Sequence, residues 1–203
     1  IEGVSKLHGA EYTIMPDRIV AATYLAASAI TGGEICLKNV NPRDMGAMLH
    51  VLLDMGVQLR IEKDKIIQKA PKKLESIHIV RTMPYPGFPT DMQAPMMALA
   101  LSLRGTSVFL ETIFENRFMH AREMVRMGAS IRIEDRIALV SGGHPLGGTS
   151  VTSTDLRGGA ALMLCGLLAE GETTLHDPNG QIARGYEDLP GMLRTLGASV
   201  EEE

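Results

Sequence analysis

Three stretches of the chain are apolar on nearly every side, and each follows an aspartate. Asp17, Asp91 and Asp155 precede the runs IVAATYLAASAI, MQAPMMALALSL and GGAALMLCGLLA. Pro95 fits a helix only in its first turn, so the second helix is expected to start near Asp91 or Met92. A helix that is apolar nearly all round must be enclosed by other elements, so these three helices are predicted to form the interior.

The same order of segments follows each apolar run. Each run ends at a glycine that suits a helix C-cap, and then comes a strand-like run (EICLKNV, SVFLETI, ETTLHD) and a second helical stretch. A further glycine closes that stretch 39, 37 and 42 residues after the aspartate. This near-constant spacing indicates a threefold internal repeat. The two sets of glycines are Gly32, Gly105 and Gly171, and Gly56, Gly128 and Gly197.

Each repeat predicts the order strand, buried helix, strand, second helix, strand, strand. The segments YTIM, HIVRT and SVTST are the expected leading strands, and VQLRIE with KIIQK and ASIRIE with RIALVS are the expected hairpins. The pattern predicts an inside-out α/β domain of three βαβαββ repeats, with helices inside and sheets outside. We expect one domain over residues 1–203, with repeats at about 10–74, 75–142 and 143–203, and no partner strand for ASVEEE.

Composition narrows the classes of function. The 203 residues carry a net charge of −4, which argues against a general nucleic-acid surface but leaves room for a local anion site. No apolar run is long enough for a membrane span and no signal-peptide pattern opens the chain, so we expect a cytoplasmic protein. Cys36 and Cys165 lie far apart in apolar contexts, which predicts a reducing compartment and buried structural roles.

Arginines recur where the helix dipole disfavours them. Arg43, Arg117 and Arg184 lie at or just before the start of the second helix of each repeat, and Arg157 follows Asp155. A cation there costs up to about 1 kcal/mol, so the recurrence needs a reason. The aspartates alone are explained as helix N-caps. Arginines beside helix N-termini bind phosphate or carboxylate, so the sequence predicts an anion site flanked by carboxylates.

Histidine is a weaker source of candidates. His120 follows FENRFM and is a possible catalytic residue, although a lone histidine more often has a structural or surface role. The other histidines show no metal-ligand spacing, so no metal is predicted.

Several motifs together resemble a known enzyme family. PGFPTDMQA, ETIFENRFMH with RMGA, TDLR with RGYED and LGA, and PDRI are similar to the UDP-N-acetylglucosamine 1-carboxyvinyltransferase (UDP-GlcNAc enolpyruvyl transferase) family over essentially the whole chain. The resemblance implies transfer of the enolpyruvyl group of phosphoenolpyruvate to the 3′-hydroxyl of UDP-GlcNAc, the first committed step of peptidoglycan synthesis, without a metal or organic cofactor. It also implies two inside-out domains, of which this chain is the C-terminal portion.

The resemblance assigns expected roles to residues in the second repeat. Asp91, the acid of PTDMQ, contacts the sugar 3′-hydroxyl and is the expected base. Ile113 is expected to contact the UDP-sugar through its backbone, and Arg117 to lie at the cleft.

In the third repeat the resemblance concerns the phosphoenolpyruvate side. Asp155 and Arg157 of TDLR are expected to face phosphoenolpyruvate, and Arg184 of RGYE is expected to pair with it. At positions 181 and 183 the family often has His and Asp, whereas this chain has Gln181 and Ala183. This difference affects the expected contacts around Arg184 but not the expected role of Arg184 itself.

The expected partner domain carries the rest of the site, including a mobile-loop cysteine that neither Cys36 nor Cys165 matches. Without that domain the chain is expected to be inactive, since domain closure assembles the site. Two alternatives stay open at this point. One is the sister transferase that acts on shikimate 3-phosphate; the other is a non-catalytic regulatory paralogue or repeat-built binding module.

Overall fold

A computed structural model describes residues 2–202. Within them three apolar, largely buried helices alternate with three more exposed ones. The six α-helices are α1 (Arg18–Thr31), α2 (Gly46–Asp54), α3 (Gln93–Leu101), α4 (His120–Arg126), α5 (Leu156–Leu168) and α6 (Leu189–Thr195). Short 3-10 turns precede three of them, at Pro42–Met45, Thr90–Met92 and Ile182–Arg184.

The strands form three separate sheets. One has the order β1-β3-β2, the second β4-β5-β7-β6, and the third β8-β9. The leading strand pairs parallel with the strand after the buried helix in the second and third sheets, and the hairpins pair antiparallel. The nine strands in the described residues are β1 (Glu34–Lys38), β2 (Gln58–Ile61), β3 (Lys65–Lys69), β4 (Ile79–Arg81), β5 (Gly105–Leu110), β6 (Ser130–Glu134), β7 (Ile137–Gly142), β8 (Ser150–Thr152) and β9 (Thr174–His176).

The three apolar helices α1, α3 and α5 pack against one another at the centre of the molecule. All nine residues of α3 are buried, and Leu25, Leu99 and Leu162 are fully enclosed, one on each of the three helices. Burial of a leucine side chain contributes about 2 kcal/mol, so packing of the three helices stabilises the fold. The predicted inside-out arrangement of helices and sheets is therefore confirmed, whereas the repeat boundaries stay a prediction.

The three helices do not begin in the same way. Asp17 caps α1 by accepting from the N–H groups of Ile19 and Val20 at 2.7 and 3.1 Å. Asp155 caps α5 in the same manner. Asp91 instead lies inside the 3-10 turn Thr90–Met92, and α3 starts after it, at Gln93. Its carboxylate caps no helix and is free for other partners.

Two of the predicted glycine C-caps are wrong. Gly32 ends α1 with a left-handed φ of 69° as expected. However, α3 ends at Ser102 and Gly105 begins β5, because a turn that closes from Leu103 to Ala100 intervenes. α5 ends in an extended residue, Ala169, since the next residue already bonds to a neighbouring loop. The second set of glycines, Gly56, Gly128 and Gly197, all have positive φ, in agreement with the repeat.

Two predicted strands do not form. The YTIM segment, residues 12–15, has no regular structure, and Tyr12 and Ile14 are 76% and 84% exposed. A strand needs a paired neighbour and a buried face, and this segment has neither. The described part of ASVEEE, residues 198–202, is also irregular.

The prediction that both cysteines are buried is wrong for one of them. Cys165 is fully buried in α5, and burial raises the pKa of its thiol to about 12. Cys36 is exposed, because side chains alternate along β1 and its neighbour Ile35 takes the inward position. No helix in residues 2–202 is long and apolar enough to cross a membrane.

Close packing of β7 on the end of α3 gives a stability prediction. A methyl group added at Gly142 would overlap the carbonyl oxygens of Ala100 and Leu103, whereas one added at Gly46 meets nothing within 4 Å. We expect Gly142→Ala to lower the free energy of unfolding by about 3 kcal/mol through overpacking. Gly46→Ala, the matched control, should be neutral or stabilising in the same urea titration. Equal effects of the two substitutions would contradict the packing described.

Candidate functional site

The carboxylate of Asp91 lies between two guanidinium groups. Arg117 Nη2 donates to Asp91 Oδ1 and Arg157 Nη2 donates to Asp91 Oδ2, each at 3.2 Å. The Asp91 side chain remains 39% exposed, so a ligand can reach it. Each carboxylate oxygen thus has one charged donor and is still open on the outer side.

Local structure explains why these three side chains meet. Asp91 lies in a 3-10 turn that begins after the extended residue Pro89. Arg117 lies in the loop between β5 and α4, and Arg157 in the first turn of α5. Because α3 packs along α5, the beginnings of both helices reach the same edge of the molecule.

Asp155 extends this cluster. Its Oδ1 accepts from the backbone N–H groups of Arg157 and Gly158 at 2.9 and 3.0 Å, which is an N-cap. Arg117 Nη1 lies 4.0 Å from the same oxygen. Asp155 therefore keeps its structural role and also contributes negative charge on the far side of Arg117 from Asp91.

Arg157 is the most enclosed member of the cluster. Its guanidinium lies 5.3 Å from the centre of the Tyr186 ring, and the Tyr186 hydroxyl is in turn hydrogen-bonded to Thr23 of α1. Burial opposes the charged form, but interactions with Tyr186 and Asp91 outweigh it and raise the pKa of Arg157. Nε and Nη1 are buried and have no partner within residues 2–202. The group is a permanent cation with unused donors.

Arg184 lies beside this cluster without an ion pair to any described residue. It ends the 3-10 turn Ile182–Arg184, which packs on α5, and its side chain is exposed. Asp177 holds this turn by accepting from the N–H groups of Gln181 and Ile182 at 3.0 and 2.8 Å. The position of Arg184 at the edge is therefore structured, while its side chain is available.

Arg43 is not part of the cluster. It is exposed in the turn Pro42–Met45 and lines a groove with Leu49 and Ile61. No hydrogen bond or ion pair in the described part of the chain joins it to Asp91 or Asp155. Arg184 likewise has no such bond within residues 2–202, so the expectation that the repeat arginines share one site stays a prediction.

The loop that contains Ile113 is held by hydrogen bonds to the buried side chain of Glu111. The Ile113 N–H donates to Glu111 Oε1 at 2.8 Å, so its carbonyl is the backbone group left for a ligand. Glu111 is only 1% exposed and was missed by the sequence analysis. Its one sequence signal is an acid at the end of a strand, just before the ENR loop.

A sequence model described as EPSP synthase (3-phosphoshikimate 1-carboxyvinyltransferase) matches residues 1–193. The chain belongs to the EPSP synthase family. Among curated relatives, a UDP-N-acetylglucosamine 1-carboxyvinyltransferase of Caldanaerobacter subterraneus is 48% identical over 98% of this chain and 48% of its own length. One of Symbiobacterium thermophilum is 50% identical over 98% of this chain and 45% of its own length. The resemblance inferred from the motifs is confirmed, and the chain spans about half the length of these relatives.

Two solved structures have the same fold as this chain. The enolpyruvyl transferase NikO from Streptomyces tendae superposes with a TM-score of 0.84 at 28% identity, over 94% of this chain and 45% of its own. An EPSP synthase from Acinetobacter baumannii gives 0.73 at 20% identity, over 95% and 44%. The second likeness concerns the fold alone.

His120, the weaker sequence candidate, is buried beneath the Asp91 cluster rather than exposed in it. It is 1% exposed, and neither ring nitrogen has a partner among residues 2–202. Burial lowers its pKa to about 4; the charge of Asp155 opposes this shift and that of Arg117 adds to it. The imidazole is therefore neutral at pH 7 and packs against the start of α5, near Gly158.

This buried histidine predicts a dependence of stability on pH. The unfolded chain binds a proton at His120 below about pH 6.5, whereas the folded chain does so only near pH 4. The contribution of neutral His120 to the free energy of unfolding is fully present above pH 6.5. It falls by roughly 3 kcal/mol in all as the pH decreases toward 4. His120→Gln should flatten the change in unfolding free energy over this range, measured by urea titration. His78→Gln, at an exposed position, is the control; a slope unchanged in His120→Gln would contradict the assignment.

Proposed function

We propose that this chain supplies one half of the active site of a UDP-N-acetylglucosamine 1-carboxyvinyltransferase. The enzyme would transfer the enolpyruvyl group of phosphoenolpyruvate to the 3′-hydroxyl of UDP-GlcNAc and release phosphate, the first committed step of peptidoglycan synthesis. The relatives described above support this activity. The observation that carries the proposal is the exposed Asp91 carboxylate, held between Arg117 and Arg157 and released from helix capping.

Asp91 is the proposed general base. As the sugar 3′-hydroxyl attacks C2 of phosphoenolpyruvate, its proton passes to the carboxylate and C3 takes up a proton. The product of this addition is a tetrahedral adduct. Phosphate then leaves C2 and a proton leaves C3, which restores the double bond. A carboxylate is a weak base. It suffices here because C2 of phosphoenolpyruvate becomes oxocarbenium-like and the sugar 3′-hydroxyl is already hydrogen-bonded to the carboxylate.

The arginines are the proposed anion site. Phosphoenolpyruvate carries a carboxylate and a phosphate, and both charges persist in the tetrahedral adduct. Arg157 is 11% exposed and donates to Asp91 at this edge, so its fixed positive charge would attract an anion bound there. Arg184, exposed at the same edge, and Asp155, which faces Arg117, are the proposed contacts on this side.

Ile113 is the proposed contact to the UDP-sugar. Since its N–H is already bonded to Glu111, we infer that its carbonyl accepts a hydrogen bond from the sugar. The side chain is 37% exposed and would pack against the ligand.

The partner of this chain is proposed to be a second inside-out domain of the same enzyme. Closure of that domain over the Asp91 edge would complete the site, so residues 1–203 alone should bind substrates weakly and have no turnover. A cytoplasmic location is proposed because both substrates are cytoplasmic metabolites. No metal, organic cofactor or nucleic acid takes part in the proposed reaction.

The role of Asp91 is tested by replacing it in the complete protein. Asp91→Asn keeps the size of the side chain but removes the base, and its NH2 group can no longer accept from one of the two arginines. We therefore expect kcat to fall by at least about 100-fold. Asp17→Asn at the equivalent repeat position is the matched control and should change kcat by less than about twofold, because Asn caps a helix as well as Asp. Phosphate release is the measurement. Unchanged transfer by Asp91→Asn would remove Asp91 from the mechanism.

The choice of acceptor is tested separately, because the matching family model bears the name of the shikimate 3-phosphate enzyme. The complete protein should release phosphate from phosphoenolpyruvate with UDP-GlcNAc and not with shikimate 3-phosphate. The expected ratio of kcat/KM is above about 10⁴, as for a site built to hydrogen-bond one substrate. A preference for shikimate 3-phosphate would overturn the proposed substrate, and activity with neither would favour a regulatory or binding role.

A further inference from the structure

Glu111 is a buried carboxylate without a cationic partner. It follows the last residue of β5 and is only 1% exposed. Within residues 2–202 no lysine, arginine or histidine forms an ion pair with it. A buried charge of this kind persists only where hydrogen bonds satisfy it, so its contacts must be unusually complete.

Four donors converge on this carboxylate. Glu111 Oε1 accepts from Thr82 Oγ1 at 2.8 Å and from the backbone N–H groups of Ile113 and Phe114 at 2.8 and 3.1 Å. Glu111 Oε2 accepts from Thr90 Oγ1 at 2.9 Å. Hydrogen bonds to an ionised acceptor are about twice as strong as neutral ones, so the three segments that contain Thr82, Thr90 and residues 113–114 are held firmly.

Three of these donors belong to the two segments that carry the Asp91–Arg117 pair, and the fourth, Thr82, follows β4. Thr90 immediately precedes Asp91 in the same 3-10 turn. Phe114 lies three residues before Arg117, and its ring centre is 5.4 Å from the Arg117 guanidinium carbon. Glu111 therefore fixes the backbone on both sides of the ion pair without touching either of its members.

We propose that Glu111 is a positioning residue that sets the distance between the Asp91 carboxylate and the Arg117 guanidinium. This inference rests on the proposed function, since it concerns the reaction that Asp91 carries out. The negative charge of Glu111 is the feature that binds four donors at once, and a neutral side chain of the same size would hold the turn and the loop less tightly. A displacement of 1 Å at a reacting group can cost about 100-fold in rate. Weaker hydrogen bonds at Glu111 would let Asp91 and Arg117 move apart and would therefore reduce kcat.

Two variants of the complete protein test the proposal through different atoms. Glu111→Gln keeps the shape and removes the charge, and Thr90→Val removes only the bond that leads to Asp91. Each should lower kcat about tenfold and change the KM for phosphoenolpyruvate by less than about threefold. Glu134→Gln at the end of β6, away from this edge and with a side chain that is 62% exposed, is the matched control and should leave kcat unchanged.

A double substitution separates positioning from general support of the fold. In the Asp91→Asn background, Glu111→Gln should reduce kcat by less than a further factor of about two, because the group it positions is already disabled. A second tenfold loss in that background would mean that Glu111 acts independently of Asp91, and the proposal would be wrong.

The outcomes also separate this inference from the function beneath it. If the unaltered protein transfers enolpyruvyl groups while Glu111→Gln and Thr90→Val both match it, the positioning role is excluded and the function stands. If the unaltered protein does not transfer them to UDP-GlcNAc, the proposed function fails and this inference fails with it. Should Glu111→Gln not fold, Thr90→Val alone decides.

Discussion

The contact of Asp91 with Arg117 and Arg157 is the interaction on which the site depends. The two 3.2 Å bonds join three segments: the turn before α3, the loop after β5 and the first turn of α5. These segments meet only because the apolar helices pack side by side at the centre. Burial of the helices therefore brings together charged groups that are up to 66 residues apart in the chain.

The aspartate before the buried helix has different roles in the three repeats. Asp17 and Asp155 cap their helices, whereas Asp91, at the corresponding place, does not. A lost cap costs about 1 kcal/mol. A general base contributes a factor of 10² to 10⁴, equivalent to about 3 to 5 kcal/mol of barrier, so the exchange favours catalysis. The departure from the repeat thus coincides with the proposed reacting group.

The sequence pattern predicted the parts of the fold that depend on burial. The enclosed helices, the second sheet and the cluster of Asp91, Arg117, Asp155 and Arg157 at one edge all followed from apolar runs and the charges at their starts. The exposure of Cys36 was missed, because it depends on which face of β1 points inward. Glu111 was missed because two of its four donors, Thr82 and Thr90, come from segments that only tertiary structure joins to it.

The most direct test of the account is a crystal structure of the complete protein with UDP-GlcNAc and phosphoenolpyruvate, or their tetrahedral adduct, bound. We expect an Asp91 carboxylate oxygen about 2.6–3.2 Å from the sugar 3′ oxygen, within reach of its proton. The phosphoenolpyruvate carboxylate or phosphate should contact Arg157 or Arg184. A bound sugar whose 3′-hydroxyl points away from Asp91, with the carboxylate still held only by Arg117 and Arg157, would contradict the central claim.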